Sequence, residues 1–412
     1  MAMSLVPAAV RAHGAVPPQV HTLNTTGGQD SRLVSETTFG LLVSPDKGGS
    51  WTWVCEEAIG SPPNQHSAVH LTLDGAILVG AANGLFMTRD DGCTWSALPE
   101  FEATGASDLA GLATEPAVIY ASTARYGSTN RVLKSVNGGA LFTPTSLTRD
   151  KVLLTSLRVA PSAAQRVYVA GWWPDVPQAA YLFRSDDAGG SFVEEDQTAK
   201  LPGAGPFNIL AVHPISADTF FASTFDVTVR RFYVLRSTDA GSTYQVVHTS
   251  TGPITALVLS QDGSTVWLAT DFFLFRSVDG GKTFARLPSP EKNACLARMD
   301  ETVFTCGWPP FDGWSVAKSS DDGTSFDGTL RLSALGSPIH CPVGTPGRDV
   351  CEPLWTSIKE QFPAEPDPAD AGAPTETPQP TSRPCGCGAP GGPPTLVAFM
   401  VIFILARRRR CA

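Results

Sequence analysis

The octapeptide SVDGGKTF, Ser277–Phe284, has six echoes in this chain of 412 residues. They read SPDKGGSW from Ser44, TRDDGCTW from Thr88, SVNGGALF from Ser135, SDDAGGSF from Ser185, STDAGSTY from Ser237 and SSDDGTSF from Ser319. The third position is Asp46, Asp90, Asn137, Asp187, Asp239, Asp279 or Asp321, so the phrase returns about every 40–50 residues, the length of one four-stranded propeller blade.

Each letter of the phrase has a mechanical task. The Asp or Asn side chain accepts hydrogen bonds from backbone N–H groups one or two residues on and closes a tight turn, while the following Gly takes the positive φ such a turn needs. The aromatic at the eighth position (Trp51, Trp95, Phe142, Phe192, Tyr244, Phe284, Phe326) begins the next strand and wedges between neighbouring sheets. An apolar run precedes every copy: GLLVS, GLFMT, RVLKS, YLFRS, YVLRS, FLFRS and SVAKS. Run, turn and aromatic make a β-hairpin. The other half of the unit is a second hairpin, as in VHLTL-DG-AILVG with a two-residue turn at Asp74-Gly75, and TALVLS-QDG-STVWLA. Four strands taken seven times predict an all-β, seven-bladed β-propeller over residues 18–332. A β-sandwich leaves the seven equal phrases unexplained.

Composition agrees and narrows the partners. Charged residues make up 17% of the chain, while Gly (38) and Pro (34) are abundant, a bias toward turns. A net charge of −9, with Arg407–Arg410 as the one dense basic cluster, argues against nucleic acid. No cofactor or metal motif stands out. His66 and His70 are four apart but fall in an expected strand, the acidic turns lack the oxygen set of a calcium loop, and there is no phosphate-cradling P-loop.

The repeated phrase resembles the Asp-box, or bacterial neuraminidase repeat, S-x-D-x-G-x-[ST]-[WFY]. Five copies match it; Thr88 replaces Ser in the second, and the third has Asn137 for Asp and Leu141 for Ser/Thr. The resemblance implies a propeller of the sialidase-like kind, and it also implies that the boxes lie on the face away from any ligand, with the seven Asp/Asn residues as structural staples. The motif occurs in sialidases, endoglucanases, sortilin-type receptor domains and photosystem-assembly factors, so it speaks for fold rather than activity. A sialidase would be expected to carry an Arg-Ile-Pro segment, an arginine triad and a Tyr nucleophile backed by Glu. No Arg-Ile-Pro occurs, and Arg184, Arg236 and Arg276 each stand just before a box. Asp175, Asp226, Asp271 and Asp312 lie outside the boxes and supply the material for a carboxylate pair, so a glycoside hydrolase on this scaffold is the alternative to a non-enzymatic binding module.

Loops joining the second and third strands of each blade open away from the boxes, because successive hairpins reverse direction. Two are rich in rings: GWWPDVPQ with Trp172, Trp173 and Asp175, and GWPPFDGW with Trp308, Phe311, Asp312 and Trp314. A third, TARYGSTN, offers Arg125, Tyr126 and Asn130. Rings beside carboxylates and amides suit a sugar or a peptide, which makes this face the expected ligand site; the competing reading is that the Trp side chains fill space between blades or cap the central channel.

Six cysteines fall within the folded part: Cys55, Cys93, Cys295, Cys306, Cys341 and Cys351. An even set fits disulfides in an oxidising compartment, and six allow fifteen pairings. The arms of one expected hairpin suggest Cys295–Cys306, a Pro/Gly loop suggests Cys341–Cys351, and elimination then leaves Cys55–Cys93.

Residues 333–362 read as a disulfide loop and a capping helix, with Leu354, Trp355, Ile358 and Phe362 at helical spacing. Residues 363–384 are Pro-rich, poor in apolar side chains and expected to form an extended linker. Residues 385–412 join Cys385-Gly-Cys387, an apolar run at Thr395–Ala406 and four arginines. Twelve residues reach about 18 Å as a helix against a bilayer core of roughly 30 Å. The arrangement resembles the tripartite sorting tails of bacterial surface proteins, most closely the myxobacterial C-terminal sorting signal. It implies a sorting protease, processing at Cys385 or Cys387, contact with the membrane through the tail, and retention on the surface of an exporting cell; the alternative, an ordinary single-pass anchor, leads to the same surface address. Residues 1–17 read as a remnant of an export signal, short in its apolar part and without a preceding Lys or Arg, or else as a disordered N-terminus.

Overall fold

The structure, a computed structural model, describes residues 18–362 apart from 26–30, 63–65, 103, 204, 289 and 291–294. The segments 1–17, 363–384 and 385–412, with Cys385 and Cys387, lie outside the described residues.

Seven four-stranded antiparallel sheets succeed one another along the chain, and in each the strands are hydrogen-bonded in sequence order. Blade 1 holds strands 24–25, 33–37, 40–44 and 52–54; blade 7 holds 296–299, 302–306, 316–319 and 327–330. The third strand of each blade ends on the Ser or Thr that opens the repeated phrase. Central strands such as Ile77–Ala81 and Val266–Thr270 are buried along their whole length, since sheets cover both their faces. Outermost strands such as Thr143–Asp150 and Val193–Asp196 are mostly exposed and carry the polar residues. The Asp74-Gly75 turn is wider than its sequence suggests: Thr72 N–H donates to Ala76 O at 3.0 Å, leaving three residues in the loop.

The repeated turns share one hydrogen-bond pattern. In the sixth, the Ser277 hydroxyl accepts from Gly281 N–H at 2.9 Å and donates to Asp279 Oδ1 at 2.6 Å. Asp279 then takes the Thr283 backbone N–H on Oδ1 (3.0 Å) and the Thr283 hydroxyl on Oδ2 (2.7 Å). The Asp therefore reaches four residues ahead, rather than one or two. The longer reach encloses two consecutive left-handed residues, such as Ala240 (φ 57°) with Gly241 (φ 92°), or Asp322 (φ 60°) with Gly323 (φ 84°). The second of the pair also approaches the preceding blade: a Cβ on Gly281 would lie 2.3 Å from the Phe221 ring. In the third turn Asn137 Oδ1 still accepts from Leu141 N–H at 3.0 Å, but Leu141 has no hydroxyl to give, and its side chain is exposed. Donors from Ser191 and Ser185 hold the Asp187 carboxyl down to about 2, the Ser191 backbone N–H foremost.

Seven apolar clusters fill the seven seams between blades, and each receives one aromatic from a repeated turn. Trp51 enters the seam of blades 7 and 1, Trp95 that of 1 and 2, Phe142 that of 2 and 3, and Tyr244 that of 4 and 5. Phe192, Phe284 and Phe326 do the same in the remaining three.

No blade combines strands from the two ends of the described chain, so the ring is closed by the segment after blade 7. Pro338 bridges Trp53 in parallel, and Ile339 N–H donates to Trp53 O at 2.8 Å. The segment continues to the turn of blade 2, where Gly347 N–H donates to Cys93 O, and returns as the helix Cys351–Lys359. That helix buries Ile358 and sets Trp355 5.5 Å from Trp53; beyond it, Phe362 lies 5.2 Å from Phe39. Cys295 and Cys306 are bonded to each other, but the other two bridges run Cys55–Cys351 and Cys93–Cys341, spanning 296 and 248 residues. The expected pairs Cys341–Cys351 and Cys55–Cys93 are therefore not formed. Closeness along the chain favours them, but closure of the ring brings the last cysteines to blades 1 and 2.

Candidate functional site

In an antiparallel meander the loops between strands 2 and 3 lie at the end opposite the strand 3–4 turns. The three loops singled out in the sequence therefore share the face away from the repeated turns, but they form two groups. Blades 3 and 4 are neighbours, and their loops are joined by the Tyr126 hydroxyl, which donates to Asp175 Oδ1 at 2.7 Å. That bond lifts the Tyr126 phenol above its ordinary pKa. The loop of blade 3 is itself braced by Asn130, whose Oδ1 accepts from Arg125 N–H at 2.7 Å and whose Nδ2 donates to Val152 O at 2.9 Å. Arg125 and Tyr126 project from this brace and are exposed. Trp172 and Trp173 are half-buried at the end of the second strand of blade 4, with the Lys151 ammonium 5.9 Å from the Trp173 ring centre. The Trp172 Nε1 is buried without a hydrogen-bond partner.

Blade 7 carries the second group, three blades from either partner of the first. Residues Pro309–Asp312 form one helical turn, and Asp312 Oδ2 accepts from Trp308 N–H at 2.8 Å. The turn holds the Trp308 and Phe311 rings 4.9 Å apart and leaves Phe311 61% exposed. Trp314 belongs to the interior instead. It is 8% exposed and packs over Gly307, where a Cβ would come within 2.4 Å of its ring. For Trp314 the space-filling reading is the one the structure supports.

Among the described residues, the exposed aromatic side chains are Tyr126, Phe272 and Phe311, and all three stand in strand 2–3 loops, of blades 3, 6 and 7. Val176, Val227 and Val229 on the loops of blades 4 and 5 add exposed apolar area to the same face. Three carboxylates there are engaged in bonds within the face: Asp175 holds Tyr126 of the neighbouring loop, Asp226 accepts from Thr228 N–H at 2.8 Å, and Asp312 caps its helical turn. The arginines ahead of the turns are likewise occupied. Arg236 donates to Gly280 O and Arg276 to Asp322 O, each on the next blade, while Arg184 pairs with Asp186.

Sequence reasoning did not identify the ionisable groups that line the channel on the propeller axis. The innermost strands enclose about 540 Å³, with His21, Glu36, His70, Asp108 and Arg158 in the wall. Asp108 and Arg158 are paired at 2.6 Å. Glu36 is 7% exposed, and burial pushes its carboxyl up to about 7. One signal was legible: a lone carboxylate inside LVSETTFGLLVS, Leu33–Ser44, an otherwise uncharged strand pair. Among the described residues no group of three or more His, Cys, Asp or Glu side chains is placed to hold a metal ion, and no helix is long and apolar enough to cross a membrane.

No protein-family model matches the chain, and no curated protein matches it. Several solved structures show a distant likeness to it. An ancestral GH74 enzyme is 13% identical, with a TM-score of 0.44, over 78% of this chain and 56% of that one. The chain thus spans little more than half the length of that enzyme. The GH74 xyloglucanase from Xanthomonas campestris is 12% identical over 74% of this chain and 70% of its own, with a TM-score of 0.39. YCF48 from Cyanidioschyzon merolae is 14% identical over 65% and 86%, with a TM-score of 0.43.

Proposed function

We propose that this chain is an exported recognition module, a seven-bladed propeller that binds a glycan or protein ligand on the face formed by its strand 2–3 loops. The observation that carries the reading is the distribution of exposed rings: Tyr126, Phe272 and Phe311 all stand on that one face. A solvent-exposed ring presents contact area at small entropic cost, which is what a binding surface needs. The repeated turns are spent on their own hydrogen bonds, in keeping with a role as Asp-box staples. Three disulfides fit an oxidising compartment, and the tail from Cys385 onward would tether the module at the cell surface.

The purified propeller, residues 18–362, put on a glycan array and through a protein-partner capture, with a parallel assay for released sugar, tests this. Binding should fall about tenfold or more in Tyr126→Ala or Phe311→Ala with the thermal midpoint unchanged. Sugar release abolished by substituting Asp175, Asp226, Asp271 or Asp312 would overturn it in favour of a glycoside hydrolase.

A further inference from the structure

The channel has a charge arrangement that the loop face does not use. Its one ion pair is internally complete: Arg158 Nη1 donates to Asp108 Oδ2 at 2.6 Å and Arg158 Nε to Leu210 O at 2.9 Å. Asp108 also accepts Leu157 N–H on Oδ2 and Leu109 N–H on Oδ1, both at 2.9 Å, so its carboxylate has no need of a further cation. His21 and His70 are neutral at pH 7, because desolvation lowers His21 and holds His70 at about 4 against the pull of Asp108.

Glu36 is left over. Its Oε1 is buried with no hydrogen-bond partner, and its side chain is eased only by the Thr22 hydroxyl. A buried carboxyl with one oxygen left without a donor costs free energy that an apolar residue at the same place would not. A partner from outside the chain removes that cost. Apart from the Asp108–Arg158 pair, the wall combines polar uncharged residues, Thr22, Asn24 and Thr255, with apolar ones such as Leu71 and Leu257. A divalent metal would want several oxygen ligands, and a single carboxylate does not supply them. A chamber of about 540 Å³ falls within the size range of small-molecule sites.

We propose that the axial channel is a binding site for a small molecule bearing a protonated primary amine, with Glu36 as its counter-ion. The ammonium brings three donors to a carboxylate oxygen that has none, and the neutral imidazoles and hydroxyls accept the rest. Only the ionised carboxyl pairs with the cation, so affinity rises with pH through the neutral range. The titratable residues on the elements packed against the Leu33–Thr37 strand are His21, ahead of the first strand, and His66 and His70 on the inner strand of blade 2. The Gly40–Ser44 strand carries none.

The test uses n-butylammonium and n-butanol, equal in reach and different in charge, added to the full chain and monitored by calorimetry and ligand-observed NMR. The amine stays protonated throughout, as a lysine side chain does. Butylammonium should bind about tenfold more tightly than butanol, and about tenfold more tightly near pH 8 than near pH 6. Glu36→Gln should reduce it to the level of butanol and remove the pH dependence. Equal affinity for the two probes, a flat pH profile, undiminished binding by Glu36→Gln, or no binding of butylammonium at about 50 mM would each overturn the proposal. Should the variant fail to fold, the pH series on the unaltered chain still decides.

Discussion

The seam between blades 7 and 1 and the six seams before it are packed alike, with one turn aromatic in each, but they are held differently. Across six of them the polypeptide itself runs from one blade to the next, so neither blade can leave without a break in the chain. Across the seventh there is no such connection, and residues 333–362 supply it: a parallel bridge at Trp53, two disulfides and the buried Ile358. A closed ring needs a covalent or packed link wherever the chain does not provide one, because each blade contacts only its neighbours.

The largest effect should come from cutting that link. Cys55→Ser with Cys351→Ser removes a bridge spanning 296 residues; because the nested Cys93–Cys341 bridge stays closed, the loop opened is roughly 50 residues and chain-entropy arithmetic puts the loss near 4 kcal/mol, against about 3 kcal/mol for Cys295→Ser with Cys306→Ser, whose loop spans 11 residues. Chemical denaturation of both double variants measures the difference; equal losses would mean that the seventh seam is no more dependent on its bridge than a hairpin is. Next in size is Ile358→Ala, which empties a fully buried site beneath the returning helix and should cost about 2–4 kcal/mol, read as a lower denaturation midpoint at unchanged slope.

Blade 1 also carries a cost of its own in Glu36. The folded chain keeps the Glu36 proton up to about pH 7, whereas the unfolded chain releases it near 4.5, so the folded state binds more protons between those values. Stability contributed by this residue is therefore complete at acid pH, declines as pH rises through that window and is level above it. Glu36→Gln should be more stable than the parent near pH 8, by on the order of 3 kcal/mol at most, and the gain should vanish near pH 4. A thermal-unfolding series against pH checks both ends.

The smallest contrast separates the repeated turns from one another. Asp90→Ala removes acceptors for the Thr94 N–H and hydroxyl and should cost about 1 kcal/mol. In the third turn, Asn137→Asp combined with Leu141→Thr restores the missing hydroxyl contact and should gain about 0.5 kcal/mol by the same measurement.

How far the residues speak for themselves varies with distance along the chain. The Ser277–Phe284 phrase predicts its own turn because every bond in it closes within five residues, and Phe284 finds its seam because an aromatic at a strand start has one buried direction to go. Asn130 reads as part of an exposed loop, yet it is fully buried and braces that loop from within. Trp308, Phe311 and Trp314 look equivalent in GWPPFDGW, but one helical turn sends Phe311 outward while Trp314 sinks between strands. Glu36 carries a signal, a lone carboxylate in an otherwise uncharged strand pair, whose meaning depends on the channel that seven distant strands enclose.

Local order was thus written in the one-dimensional chain: seven units, their turns, their aromatic wedges and the hairpin bridge of Cys295 with Cys306. Which cysteines of the closing segment meet, which rings face solvent and where an uncompensated carboxyl sits were decided only when the ring closed. Hydrogen bonds within a turn depend on spacing of a few residues, whereas pairing across hundreds of residues depends on the angle each blade adds to the circle.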